Sequence, residues 1–394
     1  MAFLKYALPA LMATQAVFAA DCGEGDTIKI ENQSDADGYA SCKTVKGNIE
    51  VNEHYSGDLN LNGIQEIDGS LTIDGASNMT SLTGSSLESI SSTFKLSGLT
   101  SLTTLSFGSL TSVDKLSFTA LPMLQTLDFS KGVTEATSVT ITNTGLVSLD
   151  GISLKEVETF DITENTQLKT VNVNNLKNAT GLINFAGNLD SLEVELPNLS
   201  GGQNMTFRNV SSVSIPSLKQ LSGQLGFWGD SFTSFAAPNL TETGDLVFVD
   251  NSKLSNISMP QLKTVNGGFQ IARNDKLSSI DFPKLASVSG AIDFSGKFDE
   301  ANLPALEIVR GGFNMQSTGN FSCDSFKKLH SDKIIRGSFE CKSDTANPTT
   351  KDGSSGSSSG SAASSTSEGA APMNGANMPV MGVAAVFGAL LQFL

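Results

Sequence analysis

Apolar residues along this chain fall in short alternating bursts, and the bursts repeat. The clearest read Gly-x-apolar-x-apolar: Gly244-Asp245-Leu246-Val247-Phe248, Gly267-Gly268-Phe269-Gln270-Ile271, Gly290-Ala291-Ile292-Asp293-Phe294 and Gly311-Gly312-Phe313-Asn314-Met315. Alternation at period 2 predicts a short strand at each burst, with one face buried. With the first apolar residue as marker, the same rung is found at Ile49, Leu71, Phe94, Leu116, Val139, Phe160, Ile183, Met205, Leu225, Leu246, Phe269, Ile292 and Phe313. That makes thirteen rungs over 264 residues, in steps of 20 to 23. A period near 22 residues predicts a solenoid, whose coils bury their apolar edges only against their neighbours.

From about residue 196 the coil has a fuller consensus. Pro197, Pro216, Pro238, Pro260, Pro283 and Pro304 each open a Pro-x-Leu element, with the rung eight or nine residues later. After the rung comes a turn and a pair such as Leu254 and Ile257, or Leu277 and Ile280. Three apolar stations per coil, separated by polar corners, predict a prism of parallel sheets. The expected fold is therefore all-β, a single right-handed β-helix of about thirteen coils. Fragments such as Leu99-Thr100-Ser101-Leu102-Thr103-Thr104-Leu105 resemble leucine-rich repeats, but no coil has room for a convex helix. Ser, Thr, Asn and Gly dominate, which favours strand and turn throughout.

The four cysteines sit in pairs at the two ends of the repeat. Thirteen rungs at ~4.8 Å per strand span on the order of 60 Å, so no bond can join the ends. The expected pairing is local, Cys22 with Cys42 and Cys323 with Cys341, as end caps. No Cys-x-x-Cys or neighbouring His supports a metal site instead. Partial rungs at Asp26–Ile30 and Gly337–Cys341 fall within both cystine regions. Open solenoid ends expose strand edges, and a stapled cap blocks them.

The flanking segments are of other kinds. Lys5 followed by the apolar run Tyr6–Phe18, with Val17-Phe18-Ala19 at its end, predicts a signal peptide over residues 1–19. The ectodomain then covers 20–342. Residues 343–369 are rich in Ser, Thr and Gly, predict a disordered stalk, and are candidates for O-glycosylation. Residues 370–394 have the order of a lipid-anchor signal: small residues, a polar spacer, and the uncharged apolar run Val380–Leu394. That run is 15 residues long, short of the roughly 20 that a membrane helix needs. The expected attachment residue is Gly369, with Asn374 as the alternative.

The net charge of −15, with only 25 Lys and Arg thinly spread, argues against nucleic acid as a partner. Nine Asn-x-Ser/Thr sequons stand at Asn32, Asn78, Asn178, Asn198, Asn204, Asn209, Asn239, Asn256 and Asn320. In a secreted chain they predict a glycosylated surface, with Asn198, Asn239 and Asn256 at open corners and Asn204 at a rung edge. Catalysis finds little footing, and no cofactor is implied. His54 and His330 lie near opposite ends and neither has a nucleophile-like neighbourhood, which argues against a Ser-His-Asp arrangement. Glu193 with Glu195, and Asp299 with Glu300, are the carboxylate pairs a glycosidase would need. No run of acids at one repeated register accompanies them. If Phe227 points inward, Trp228 points outward beside Arg208 and Val249, where an indole could stack on a sugar ring or anchor a partner.

Taken together, these segments resemble the fungal GPI-anchored cell-wall proteins of the extracellular-mutant and sporulation-specific family. Coils such as Ala237-Pro238-Asn239-Leu240 through Phe248-Val249-Asp250-Asn251-Ser252-Lys253-Leu254 resemble that family's receptor-L-domain-like repeats. The resemblance implies a location at the plasma membrane or cell wall and a non-enzymatic role in wall integrity and organisation. Wall polysaccharide or wall-building proteins are the implied partners, with the membrane reached through the lipid. The competing expectations are a wall-active glycanase and a receptor module for a protein ligand.

Overall fold

In a computed structural model, which describes residues 22–350, the thirteen markers stack one above the next in a single parallel ladder. Ile28 adds a rung below Ile49, and Phe339 adds one above Phe313. Thirteen plus these two gives fifteen rung strands and fourteen turns between them. The architecture is a parallel β-solenoid.

One coil shows how the residues dictate its path. The rung strand Leu246–Val249 ends at Asp250, which has a left-handed φ of 60°. The chain turns at the buried Asn251, forms a short strand at Asn256–Ser258, and turns again at Met259-Pro260-Gln261-Leu262. In that turn the amide of Leu262 donates to the Met259 carbonyl at 3.2 Å. Proline sits second, where its fixed φ suits the turn, while the flanking Met259 and Leu262 are buried. The same bond recurs from Leu240 to Ala237, Leu285 to Phe282 and Leu306 to Leu303. A second short strand, Thr264–Val265, leads through a glycine corner to the next rung at Phe269. In several earlier coils this strand and the rung merge into one, as in Ser112–Leu121 and Asn178–Ala186, with a register irregularity at the bend.

The glycine corner explains the first letter of the repeat. The amide of Gly290 donates to the Gly267 carbonyl at 2.8 Å, and that of Gly311 to Gly290 at 3.0 Å. A Cβ on Gly290 would lie 2.7 Å from the Gly267 carbonyl, so the coils could not approach.

Inward residues fill the prism. Phe185, Phe207, Phe227 and Phe248 form a column with successive centroids 5.8, 5.3 and 4.8 Å apart, each pair nearly parallel. The corner after the rung, expected to be merely polar, is instead a buried ladder. Oδ1 of Asn165, Asn188, Asn251 and Asn274 accepts the amide of Thr144, Asn165, Asp230 and Asn251 respectively, at 2.8–3.0 Å. These carboxamides satisfy backbone groups that the corner would otherwise strand in the core.

The ends match the expected pairing. Cys22–Cys42 and Cys323–Cys341 are bonded, with Cα separations of 5.7 and 5.9 Å. Each cap region also contains a helix, which the repeat period does not announce. α1 (Gln33–Asp37) carries a capping box, with the Asn32 side chain accepting from Ser34 and Asp35 while Asp35 reaches back to the Asn32 amide. α2 (Asp324–Ser331) buries Phe326 and lengthens the last step to 26 residues, from Phe313 to Phe339. A terminal coil has only one neighbour, so a helix can cover the apolar cross-section that a further coil would cover elsewhere.

A candidate interaction face

The outward positions of the rung sheet form a continuous strip along the solenoid, because each coil adds the residues one and three places after its marker. In the middle coils these are small and, apart from Asp161, hydroxylic: Ser117 and Thr119, Thr140 and Thr142, Asp161 and Thr163. Thr142 and Thr163 bond to each other at 2.9 Å, and the Asn184 amide donates to Asp161 at 2.8 Å. Further on, the strip becomes aromatic and apolar.

Arg208, Trp228 and Val249 are register neighbours on three successive coils, and Phe227 points into the core. The indole folds back over Gly226, where a Cβ would collide with its six-membered ring. Without a side chain at 226 the ring can lie along the sheet. The Arg208 guanidinium stacks on it, 4.4 Å from the centroid. Burial pushes the Arg208 pKa down, and the nearby Asp230 pushes it back up. Val247, Val249 and Ala272 form a second, small apolar cluster with Trp228 packed against it. These outward residues are buried, as are all positions of Leu246–Val249 and Phe269–Ala272, so the simple inside–outside alternation fails in these coils.

Towards the C-terminal end the strip is a carboxamide and carboxylate ladder. Gln270 donates to Asp293 at 3.3 Å, Asn314 to Asp293 at 2.7 Å, and Gln316 to Asn314 at 2.8 Å. Residues 343–350, which the sequence assigns to the stalk, lie against this ladder. The Asp344 and Thr345 amides donate to the carbonyls of Gly319 and Ser317. Asn314 donates to the Thr349 carbonyl at 2.8 Å, and the Thr349 amide to Gln316 at 3.2 Å. The last described stretch therefore leaves across the strip rather than off the end.

None of the nine sequon asparagines stands one or three places after a marker, although Asn204 lies one place before Met205 within the rung strand Gly201–Arg208. Seven are exposed, namely Asn32, Asn78, Asn198, Asn209, Asn239, Asn256 and Asn320, while Asn178 and Asn204 are half-buried. Asn198 and Asn239 share the third place of a proline turn and donate to the carbonyls of Asn174 and Pro216 one coil earlier. Asn204 uses its Oδ1 to accept the Gln224 amide at 2.9 Å.

The structure gives the candidate acid pairs no acidic register neighbours on adjoining coils. Glu193 and Glu195 flank the buried Val194 and point outward, but their register neighbours are Thr170, Asn172, Ser212 and Ser214. Asp299 accepts the Asn320 amide at 3.3 Å and Glu300 the Ser279 hydroxyl at 3.2 Å, each tied to its own coil neighbour. His54 is 87% exposed, and His330 stacks on Phe339 in the C-terminal cap. The chain instead gathers Asp114, Glu135, Glu156 and Glu158 with Lys155 and Lys177 along a groove of about 800 Å³. Glu135 and Glu156 each stand four places before their markers, and Asp114 and Glu158 two places before theirs, so the acids are split between two registers. Among the described residues, no group of three or more His, Cys, Asp or Glu is placed to hold a metal ion.

Comparison with known proteins places the chain. A family model described as "Ecm33: GPI-anchored cell wall organization protein" matches residues 1–40. Protein ecm33 of Aspergillus fumigatus is 68% identical over 397 residues, spanning 100% of both chains. The chain belongs to the Ecm33 family. A cell surface GPI-anchored protein of Arthroderma benhamiae is 44% identical over 90% of this chain and 92% of its own. Sporulation-specific protein 2 of Saccharomyces cerevisiae is 31% identical over 72% of this chain and 57% of its own. No solved structure matches. As an Ecm33-family member, the chain is a GPI-anchored cell-wall organisation protein of the cell wall or outer membrane face. The relatives' names describe wall and surface proteins rather than enzymes. The expected signal segment, Gly369, Asn374 and the apolar tail lie outside the described residues.

Proposed function

We propose that this Ecm33-family protein organises the wall as a non-enzymatic scaffold, holding wall polysaccharide on the outer strip of its rung sheet. One observation carries the reading: the positions one and three places after each marker run the length of the solenoid without a sequon asparagine, yet include the half-buried indole of Trp228 with the Arg208 guanidinium against it. A sugar ring offers an apolar face to such an indole and hydroxyls to the flanking Ser, Thr and carboxamide side chains. In this reading glycans on the exposed sequons keep the other faces clear of the polymer. Lipid attachment at Gly369, with removal of residues 370–394, tethers the assembly.

The test uses the glycosylated protein released from its anchor, incubated with insoluble β-glucan, chitin and mannan. Pull-down is expected, and Trp228→Ala should weaken it about tenfold or more, in keeping with ~1–3 kcal/mol for a stacked aromatic by analogy with base stacking. Its melting temperature should fall somewhat, because the half-buried indole packs against Val247, Val249 and Ala272, so binding is compared where both proteins are folded. Newly released reducing ends would replace the scaffold reading with glycan cleavage and direct attention to Asp114, Glu135, Glu156 and Glu158. Neither binding nor release would favour a protein ligand at the Trp228, Val247 and Val249 cluster.

A further inference from the structure

Each asparagine of the corner ladder has two tasks. Its Oδ1 accepts a backbone amide, and its Nδ2 donates to the carbonyl of an inward rung residue in an earlier coil. The acceptors are Ile141 for Asn165, Ile162 for Asn188, Phe227 for Asn251 and Phe248 for Asn274. Asp230 holds the same place between Val210 and Asn251. Its Oδ1 accepts the Val210 amide at 2.9 Å, and its own amide donates to Asn251 at 2.8 Å. The second task falls to Oδ2, which is buried without a hydrogen-bond partner in a residue only 1% exposed. The carbonyl in the equivalent position belongs to Phe207, because Phe207 is the register partner of Phe227.

We propose that Asp230 is kept in the fold as a neutral carboxylic acid whose proton bonds the Phe207 carbonyl, and that its ionisation loosens the seam beneath the Arg208–Trp228 platform. A protonated carboxyl is the isostere of the carboxamide that fills this place in the neighbouring coils, one O–H replacing one N–H. An ionised one has only acceptors, and would face a carbonyl across a dry corner. Burial pushes the Asp230 pKa up to about 7, against the amides of Val210 and Trp228 and the charge of Arg208, the only charged side chain that acts on it. The folded value lies above the unfolded one of roughly 3.9. The protonated form's contribution is therefore complete below about pH 4, declines as pH rises to about 7, and is gone above. Within that window the unfolding equilibrium shifts by up to about tenfold per pH unit. With Asp230 neutral, Arg208 has no buried anion to turn to and stays on the indole. The consequence for polymer binding rests on the function proposed above, whereas the proton itself does not.

Trp228 is the sole tryptophan of the chain, so intrinsic fluorescence reads this site directly. The intact glycosylated protein and its Asp230→Asn variant would be titrated from about pH 4 to 9, with melts at both extremes. The parent emission should change with a midpoint near pH 7, and the variant should show no such step. Asp230→Asn should match the parent's melting temperature at the acid end and exceed it at the alkaline end. A parent midpoint below pH 5, or a variant that melts lower by the same margin at both extremes, would overturn the proposal in favour of an ionised Asp230 paired with Arg208. Should Asp230→Asn fail to fold, Arg208→Gln serves instead, with a midpoint raised by loss of the countercharge expected and an unmoved one adverse. Polysaccharide pull-down at pH 5 and pH 8 separates the two readings: absence at both sinks only the polymer role, while pH-dependent capture lost in Asp230→Asn supports the coupling.

Discussion

Asn251 is worth more to this fold than its place in an Asn-rich turn suggests. Its side chain accepts the Asp230 amide and donates to the Phe227 carbonyl, both in the dry corner of the prism. Alanine at 251 would leave both groups unpaired, at ~1–3 kcal/mol each. A loss of about 2–6 kcal/mol is therefore expected in denaturant unfolding of Asn251→Ala, and a loss under about 1 kcal/mol would show that water replaces the carboxamide. The ladder went unread in the sequence for a physical reason. A chain dense in Asn, Ser and Thr makes any one asparagine look like turn chemistry. The available signal was the offset, since Asn165, Asn188, Asp230, Asn251 and Asn274 each follow their marker by five residues. The rungs themselves were legible because every marker must be apolar, and strand alternation leaves no freedom in which side faces the core. Trp228 was placed outward by that same alternation. Its posture was not, because it depends on the bare backbone at Gly226, two residues earlier on the same face.

At the scale of the element, the caps show what repetition cannot specify. An interior coil is covered on both sides by copies of itself, so its pattern is set by its neighbours. The last coil must close over Phe313 and Phe321, and does so with α2, whose Phe326 lies 5.3 Å from Phe313 and 6.5 Å from Phe321. Nothing in the 22-residue period announces that helix, which is why only the cystine hinted at a cap. The bond from Cys323 to Cys341 closes 18 residues around it. Cys341→Ser should lower the stability of this end by ~2–5 kcal/mol, the usual cost of losing a native disulfide in a secreted domain. Because solenoid stability is a sum over neighbouring coils, the loss should show first as faster amide exchange in residues 313–342 rather than across the molecule. Unchanged exchange there, together with normal secretion, would remove the cap role from the bond.

The whole molecule is a rod whose parts communicate only with their neighbours, so the tether can be altered without touching the fold. Among the described residues no helix is long and apolar enough to cross a membrane. Membership of a GPI-anchored family places the hold on the surface in a lipid, and we propose the uncharged apolar run Val380–Leu394 as its attachment signal. Residues 343–350 bond the outer strip at Asn314 and Gln316, which sets the tether's origin on the same face as Trp228. Deleting Val380–Leu394 should therefore release the protein into the medium with its melting temperature unchanged, as the fifteen rungs keep every neighbour they had. Fractionation of cells and medium reads the first outcome and a thermal melt the second. Retention on the cell would mean that the rod is held by contacts of its own rather than by the lipid. Release with a lowered melt would mean that the tail supports the strip it emerges from, and the rod and its tether would have to be treated as one folding unit.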